Sequence, residues 1–279
     1  MTRVARVIQI TRVLKPAYPD RLKPSEKLLS YNKVTGHSLN FPIYPTCKPT
    51  PVCASRCYFA RGGPTWPSAL KKQLRMYNSV SADPIAMAER LAVEIEAMLK
   101  PPSFIRWNGG GDLFPASVRM LNAFAARLPG MPIWVVTRRA DQLPAVVPAG
   151  NVYVHFSLDK ASIPRRKLAL RAAPPDLQLF FSYQVDKGEP VTGDHLRGVS
   201  VLFYDGYHPS TIDGSIEPAV VCPLNTAESI MGVCKMCRRC FDGSAVLHAR
   251  SVQNKGAGTD ESPDLRVASA KRMRDNTAM

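Results

Sequence analysis

The chain has 279 residues, 45% of them hydrophobic, enough for one large core or two small ones, and no run of about 18 apolar residues that would cross a membrane. The N-terminal stretch MTRVARVIQITRVLKP has neither a continuous apolar segment nor a small-residue cleavage site, which argues against a secretory leader and for a cytoplasmic protein. The formal net charge of +15 is concentrated: residues 1–80 carry 14 Lys and Arg against 2 Asp and Glu, whereas residues 81–240 carry 17 against 15. Such a field suits a polyanion, meaning nucleic acid or a nucleotide; the plain alternative is a solvated basic face.

In chain order, the alternation of apolar and polar residues over 3–14 predicts an exposed or edge strand, and the Pro- and Lys-rich 15–36 an irregular arm. HSLNFPIYP (37–45) reads as the first strand of the main body. WPSALKKQLRMYNSV (66–80) is helical, and SADPIAMAERLAVEIEAMLK (81–100) opens a second helix with Ser81 or Asp83 as N-cap and Pro84 at its first position. Its apolar stripe is assigned to Ile85, Met87, Leu91, Val93, Ile95 and Leu99. Short apolar runs then alternate with helical connections. SFIRW (103–107) precedes a helix at Pro115, and PIWVVT (132–137) a short helix at 139–146. NVYVHFSLD (151–159) precedes a basic helix, and LQLFFSYQV (177–185), GVSVLFYDG (198–206) and EPAVVCP (217–223) follow. This is the pattern of an α/β protein with a parallel sheet, a partial (β/α) barrel of about six or seven strands. A doubly wound sheet is the structural alternative. The organisation expected is a basic N-terminal strand and arm (1–36), the partial barrel (37–215), a Cys-rich metal-binding extension (216–249) and a polar, mobile tail (250–279).

Seven cysteines fall in two groups. Cys222, Cys234, Cys237 and Cys240, spaced C-x11-C-x2-C-x2-C, suffice for a closed site. Three at two-residue spacing plus a remote Cys-Pro favour a 4Fe–4S cluster, with zinc the alternative. Cys47, Cys53 and Cys57, spaced C-x5-C-x3-C, are one thiol short of closing a tetrahedron. On a cubane they would leave one iron open to a cofactor such as S-adenosylmethionine. Two other completions stay open: a zinc with His37, His155 or His208 as fourth ligand, or a cysteine lent by the second group. Behind the next strand, Gly109, Gly110, Gly111 and Asp112 form a turn where backbone can approach a ligand closely and a carboxylate can accept from an ammonium. Asp112 is the candidate catalytic residue. At later strand ends, Arg138 (beside Thr137 and Arg139) suits a carboxylate or phosphate, and Ser157 and Asp159 suit ribose hydroxyls. The bland reading makes the arginines solvated, Ser157 and Asp159 helix caps, and His155 a core residue.

Taken together, CKPTPVCASRCYF, RWNGGGDLF, WVVTRR and CPLNT…CKMCRRC resemble the phage protein family named after gene product 88, over roughly residues 30–240. That family is distantly similar to radical S-adenosylmethionine (radical SAM) barrels, so the resemblance implies a barrel fold and a cofactor but no particular reaction. The triplet departs from the usual C-x3-C-x2-C of those enzymes, and the aromatic residues Tyr58 and Phe59 follow the last cysteine instead of preceding it. The function expected is radical chemistry on nucleic acid or a nucleotide. The rival is a non-catalytic, metal-stabilised nucleic-acid-binding or host-interaction protein on a degenerate barrel.

Overall fold

The structure is a computed structural model, which describes residues 2–17, 20–33, 35–186, 189, 199–204, 222, 234, 240 and 241. Seven strands form one sheet in sequential order: β1 (Ser30–Asn32), β2 (Gly36–Asn40), β3 (Ile105–Gly110), β4 (Ile133–Thr137), β5 (Val152–Leu158), β6 (Gln178–Val185) and β7 (Val199–Tyr204). β1 pairs antiparallel with β2, and the six strands β2 to β7 run parallel. A doubly wound sheet reverses its strand order at a switch point. The described strands never reverse, and they stand as an open sheet with β1 and β7 at its edges.

Side chains alternate between two faces along each strand. On β3 to β6, Ile105, Trp107, Ile133, Val135, Val152, Val154, Phe156, Phe181 and Tyr183 point to one face, where the large core lies. That face is covered by helices α4 (Pro67–Ala82), α5 (Pro84–Glu96), α6 (Pro115–Arg127) and α7 (Arg165–Ala172), with a 3-10 segment at Ala140–Ala145 between the last two. The opposite, inner face carries Phe104, Trp134, Tyr153 and Phe180, with Phe241 stacked on Phe104. Cys234 and Cys240 pack against this aromatic group.

Three sequence expectations need correction. Residues Arg3–Ala17 are a helix, α1, not a strand. Val4, Val7, Ile8 and Thr11 recur at helical spacing, and Thr2 caps the first turn by accepting from the Ala5 amide at 3.1 Å. Its apolar side packs on Ile43, Phe59 and Leu70. The arm is not irregular throughout, because β1 lies within it and Leu22, Leu28 and Leu29 are buried. Glu94 accepts the backbone amides of Leu28 and Leu29 at 2.6 and 3.2 Å. The stripe of α5 is Pro84, Met87, Ala88, Leu91, Ala92 and Ile95, while Ile85, Val93 and Leu99 are exposed. A 3.6-residue period admits the two alanines and excludes the larger residues on the far side. Asp83 is the N-cap, accepting from the Ala86 amide at 3.0 Å. Among the described residues no helix is long and apolar enough to cross a membrane. The strand expected at 217–223, all but Cys222, and the tail 250–279 lie outside the described residues.

Candidate functional site: a three-cysteine cleft at the strand ends

After β2 the chain stays paired with β3 for one more bond, Phe41 amide to Gly110 carbonyl at 2.9 Å, then turns through Ile43–Thr46 (α2) into the cysteine loop. Thr50 caps helix α3 (Pro51–Arg56), accepting from the Cys53 amide at 3.1 Å, and Pro51 takes the first helical position. Cys53 lies in the first turn and Cys57 follows the last residue, so the C-x3-C spacing sets them one helical turn apart on one side. The short 3-10 turn Tyr58–Ala60 then docks the loop on β3. The Tyr58 hydroxyl donates to the Gly109 carbonyl and accepts from Arg106 Nη2 at 2.8 Å. The Phe59 ring lies against Gly110, where a Cβ would come within 2.1 Å of it. Gly111, at φ 78°, needs glycine for its backbone, and a Cβ there would meet the Phe41 carbonyl oxygen at 2.7 Å. The glycine run therefore makes room for the cysteine loop itself.

Asp112 and Asp159, both buried, tie the strand ends together. Asp112 accepts from the Thr137 hydroxyl at 2.6 Å, the Leu113 amide at 2.8 Å and the Arg138 amide at 3.2 Å, while its own amide donates to Thr46 Oγ1 at 2.9 Å. Burial pushes its carboxyl up to about 6 in spite of these donors. Asp159 accepts from the Thr50 hydroxyl, from Arg138 Nη1 at 2.6 Å, from the Ala161 amide at 3.0 Å and from the Ser162 hydroxyl at 3.0 Å. The cysteine loop, the end of β4 and the end of β5 are thus joined through one carboxylate.

A cleft of about 150 Å³ opens here, lined by Cys47, Cys53 and Cys57, by Asn108, Gly110, Gly111 and Asp112, and by Arg138, Ser157 and Gln184. A family model, gene product 88, matches residues 15–243. The chain belongs to this phage protein family. No curated protein and no solved structure matches it.

In this gene product 88 chain, burial raises all three thiols of the triplet. For Cys47 the negative charges of Asp112, Cys53 and Cys57 add to the effect. For Cys53 the Arg138 guanidinium opposes it, and for Cys57 the Ala60 and Phe59 amides do. Among the described residues no three His, Cys, Asp or Glu lie close enough together to hold one metal ion. Among the described residues no His lines the cleft. His37 packs beside Tyr31 at 4.9 Å, and His155 Nε2 contacts the Cys240 carbonyl at 3.1 Å, so neither stands where it would complete a zinc site with the triplet. His208 lies outside the described residues.

Of the residues singled out in the sequence, Cys47, Cys53, Cys57, Gly110, Gly111, Asp112, Arg138 and Ser157 share the cleft wall. Gly109 instead borders a neighbouring cavity, and the carboxylate of Asp159 is consumed by its four partners. Cys234 and Cys240 lie on the inner face among Phe104, Trp134, Tyr153, Phe180 and Phe241, apart from the triplet. Cys222 is buried, and Cys237 lies outside the described residues. Sequence reasoning missed Thr50, Arg106, Asn108 and Gln184, and it named Tyr58 and Phe59 only as aromatics on the other side of the last cysteine from the usual motif. Asn108 carried a signal, an Asn before a Gly run, and it adopts φ 60°, which Asn tolerates better than most residues. Its side-chain nitrogen donates to the Val136 carbonyl at 3.0 Å, and its Oδ1 is buried with no partner among the described residues.

Proposed function

We propose that this protein is an iron–sulfur protein of the radical-SAM type, built on a partial barrel, acting on nucleic acid or a nucleotide in the cytoplasm. The observation that carries the reading is the three-thiol cleft at the C-terminal ends of parallel strands, where barrels of this kind place their chemistry. The donor set fits such a group. Thiolates are soft ligands that select iron–sulfur clusters or zinc over hard cations. Three thiols on one cleft wall could each bind a different iron of a polynuclear cluster. Sequential strand order with helices on one face supports the barrel.

When bound, a 4Fe–4S cluster would supply the electron that cleaves S-adenosylmethionine reductively. The chain's own residues would do the rest. Cys47, Cys53 and Cys57 would hold the cluster, and Arg138 would offset negative charge beside Cys53. Asn108 Oδ1, a buried acceptor without a partner, and Asp112 would accept from the cofactor's ammonium. Ser157 and Gln184 face the same cleft and would bind hydroxyl groups, while Asp159 positions Arg138. Cys222, Cys234, Cys237 and Cys240 would hold a second cluster or a zinc.

The test is anaerobic, iron-supplemented expression with iron, sulfide and zinc analysis, then assay for reductive cleavage of S-adenosylmethionine. Iron and sulfide in stoichiometric amounts, with cleavage dependent on Cys53, are expected. A colourless protein with zinc alone sinks the proposal. A second reading, a metal-stabilised binding protein without catalysis, is favoured by one observation. The Gly110 approach is filled by Phe59, and much of the bonding capacity of Asp112 and all four lone-pair directions used at Asp159 serve the protein itself. A cluster that loads but never cleaves the cofactor would establish that reading.

A further inference from the structure

Arg106 stands apart from its neighbours. Arg138 pairs with Asp159, Arg56 with Asp186, Arg75 with Glu26 and Arg139 with Asp141. Arg106 has no carboxylate partner among the described residues. Its guanidinium lies 4.8 Å from the Trp134 ring centre and 5.4 Å from that of Tyr58, and Nη2 donates to the Tyr58 hydroxyl at 2.8 Å. Nε is buried with no hydrogen-bond partner among the described residues. A half-buried cation held by two rings, with a donor left unsatisfied, is an unfinished anion site.

Arg106 also borders two spaces, the cysteine cleft and a larger cavity of about 460 Å³ between β1, β2 and α4. On the α4 side that cavity is lined by Lys72 and Gln73, and on the strand side by Tyr31, Ser38 and Asn40. The carboxylates whose charges act on Lys72 are otherwise engaged: Glu26 by Arg75, and Glu94 by the amides of Leu28 and Leu29. Gly109 keeps the floor in place, because a Cβ there would lie 2.5 Å from Asn40 Oδ1 and 2.6 Å from Ser38 Cβ.

We propose that this cavity binds a nucleotide, with its phosphate on Arg106 and Lys72 and its base among Gln73, Asn40 and the exposed Tyr31 ring. The volume lies within the range of small-molecule sites. Two cations at one cavity suit the double charge of a phosphate monoester, and the guanidinium fork matches its oxygens. Gln73 Nε2 donates to the Pro64 carbonyl at 2.9 Å and Asn40 Oδ1 accepts from the Ser38 hydroxyl at 3.3 Å. This leaves Gln73 Oε1 as acceptor and Asn40 Nδ2 as donor for the edge of a base, and the exposed Tyr31 face suits its plane. The inference deepens the functional reading by giving the substrate a place beside the thiols, with Tyr58 and Arg106 as the partition. Among the described residues its lining includes no cysteine, so nucleotide binding can be tested apart from metal loading.

The experiment titrates anaerobically purified protein with nucleoside 5′-monophosphates, the matching nucleosides, inorganic phosphate and succinate. Binding is read by calorimetry and by the fluorescence of Trp134, which Arg106 covers. At least one monophosphate should bind more tightly than its nucleoside, phosphate or succinate. Arg106→Met should weaken it about ten- to a hundredfold, as expected for a charge-assisted bond, with Arg106→Lys intermediate and nucleoside binding unchanged. Lys72→Met, on the surface of α4, should weaken the same ligand and provides the test if Arg106→Met fails to fold. No monophosphate binding, succinate or phosphate binding as tightly, or indifference to both substitutions overturns the proposal. Iron loading of the wild-type protein, followed beside nucleotide binding, separates the two readings. Nucleotide binding retained in a protein that never loads iron sinks the cluster proposal alone, and a loaded protein blind to nucleotides sinks this one alone.

Discussion

If Gly110 exists to seat Phe59, alanine at 110 should be harmful only while the ring is present. An ideal Cβ at 110 would lie 2.1 Å from Phe59 Cζ and 2.2 Å from both Cε atoms. Ordinary carbon contacts begin near 3.5 Å, so the ring would have to retreat by roughly 1.4 Å. It has little room, being buried among Val4, Val7, Ile43, Ala60 and Leu70. Gly110 is not in the left-handed region, so alanine carries no backbone penalty there and the cost is steric. Overpacking of this kind costs about 1–3 kcal/mol. Phe59→Ala alone should cost about 3–5 kcal/mol. In that background the space is vacant, and Gly110→Ala should be neutral or gain about 0.5–1 kcal/mol by stiffening the unfolded chain. The double-mutant cycle, measured by urea denaturation under reducing, metal-free conditions, should give a coupling of about 1–3 kcal/mol. Additivity within about 0.5 kcal/mol would refute the assignment. If Gly110→Ala leaves stability alone yet abolishes cofactor binding, the glycine serves the ligand and not the loop.

Asp159→Asn should cost about 3–5 kcal/mol in the same assay, since it strands the Arg138 guanidinium and loosens the Thr50 cap of α3. Arg138→Met added to it should recover part of the loss. The Asp112 carboxyl titrates near 6 in the fold against 3.8 ordinarily, so folding takes up a proton between those values. Stability should therefore fall as pH rises from about 4 to 6, by about 3 kcal/mol at most, and Asp112→Asn should flatten that step. Cys53→Ala should leave folding largely intact and abolish activity, whereas Cys234→Ala should lower stability, because Cys234 packs against the inner-face aromatics. Equal loss of folding would argue against an open first site. Affinity for DNA or RNA should fall steeply with salt, and Lys71→Glu should weaken it while charge reversal at Lys271 or Arg272 in the tail should not. No binding at low salt removes nucleic acid as a partner.

Strands β4 to β6 were legible because each is a short apolar run bounded by turn residues, and they match their expected limits within one residue. The strand expected over 37–45 instead ends at Asn40, before the helical turn Ile43–Thr46, and β3 runs on to Gly110, into the stretch expected to be a turn. The N-terminal helix was not legible, because MTRVARVIQITRVLKP satisfies a period of two and a period of 3.6 nearly equally. Only packing on Phe59 and Leu70 decides between them. The place of the triplet after the first parallel strand, and of Asp112 after the next, could be read from order alone. What order could not supply was saturation. Asp159 resembles a free acid at a strand end, yet Thr50, 109 residues earlier, is one of its partners. The same holds for Gly110, whose neighbour Phe59 lies some fifty positions away. Arg106 read as one cation among 37, and only the absence of a carboxylate beside it among the described residues makes it informative.

The inner face is graded along the strands. At the level of Arg106 the registered residues are Trp134 and Tyr153, and one step up Val136 aligns with His155 and Phe180. A further step brings Ser157 beside Ser182, and above them lie Gln184 and the cysteine cleft. The lower half is aromatic and closed by Phe241, with Cys240 and Cys234 packed on it, while the upper half is polar and opens to the strand ends. Cys234 and Cys240 therefore form part of the floor beneath the site. Loss of that packing should expose Trp134 and His155, whose buried Nε1 and Nδ1 have no hydrogen-bond partner among the described residues. Water reaching them would also reach the guanidinium of Arg106, which lies over Trp134, and would screen the charge available to a ligand. Damage at Cys234 should thus weaken anion binding at a site it does not touch, and a Cys234→Ala protein that stays folded and binds nucleotide at full strength would show that the two halves of the face act independently.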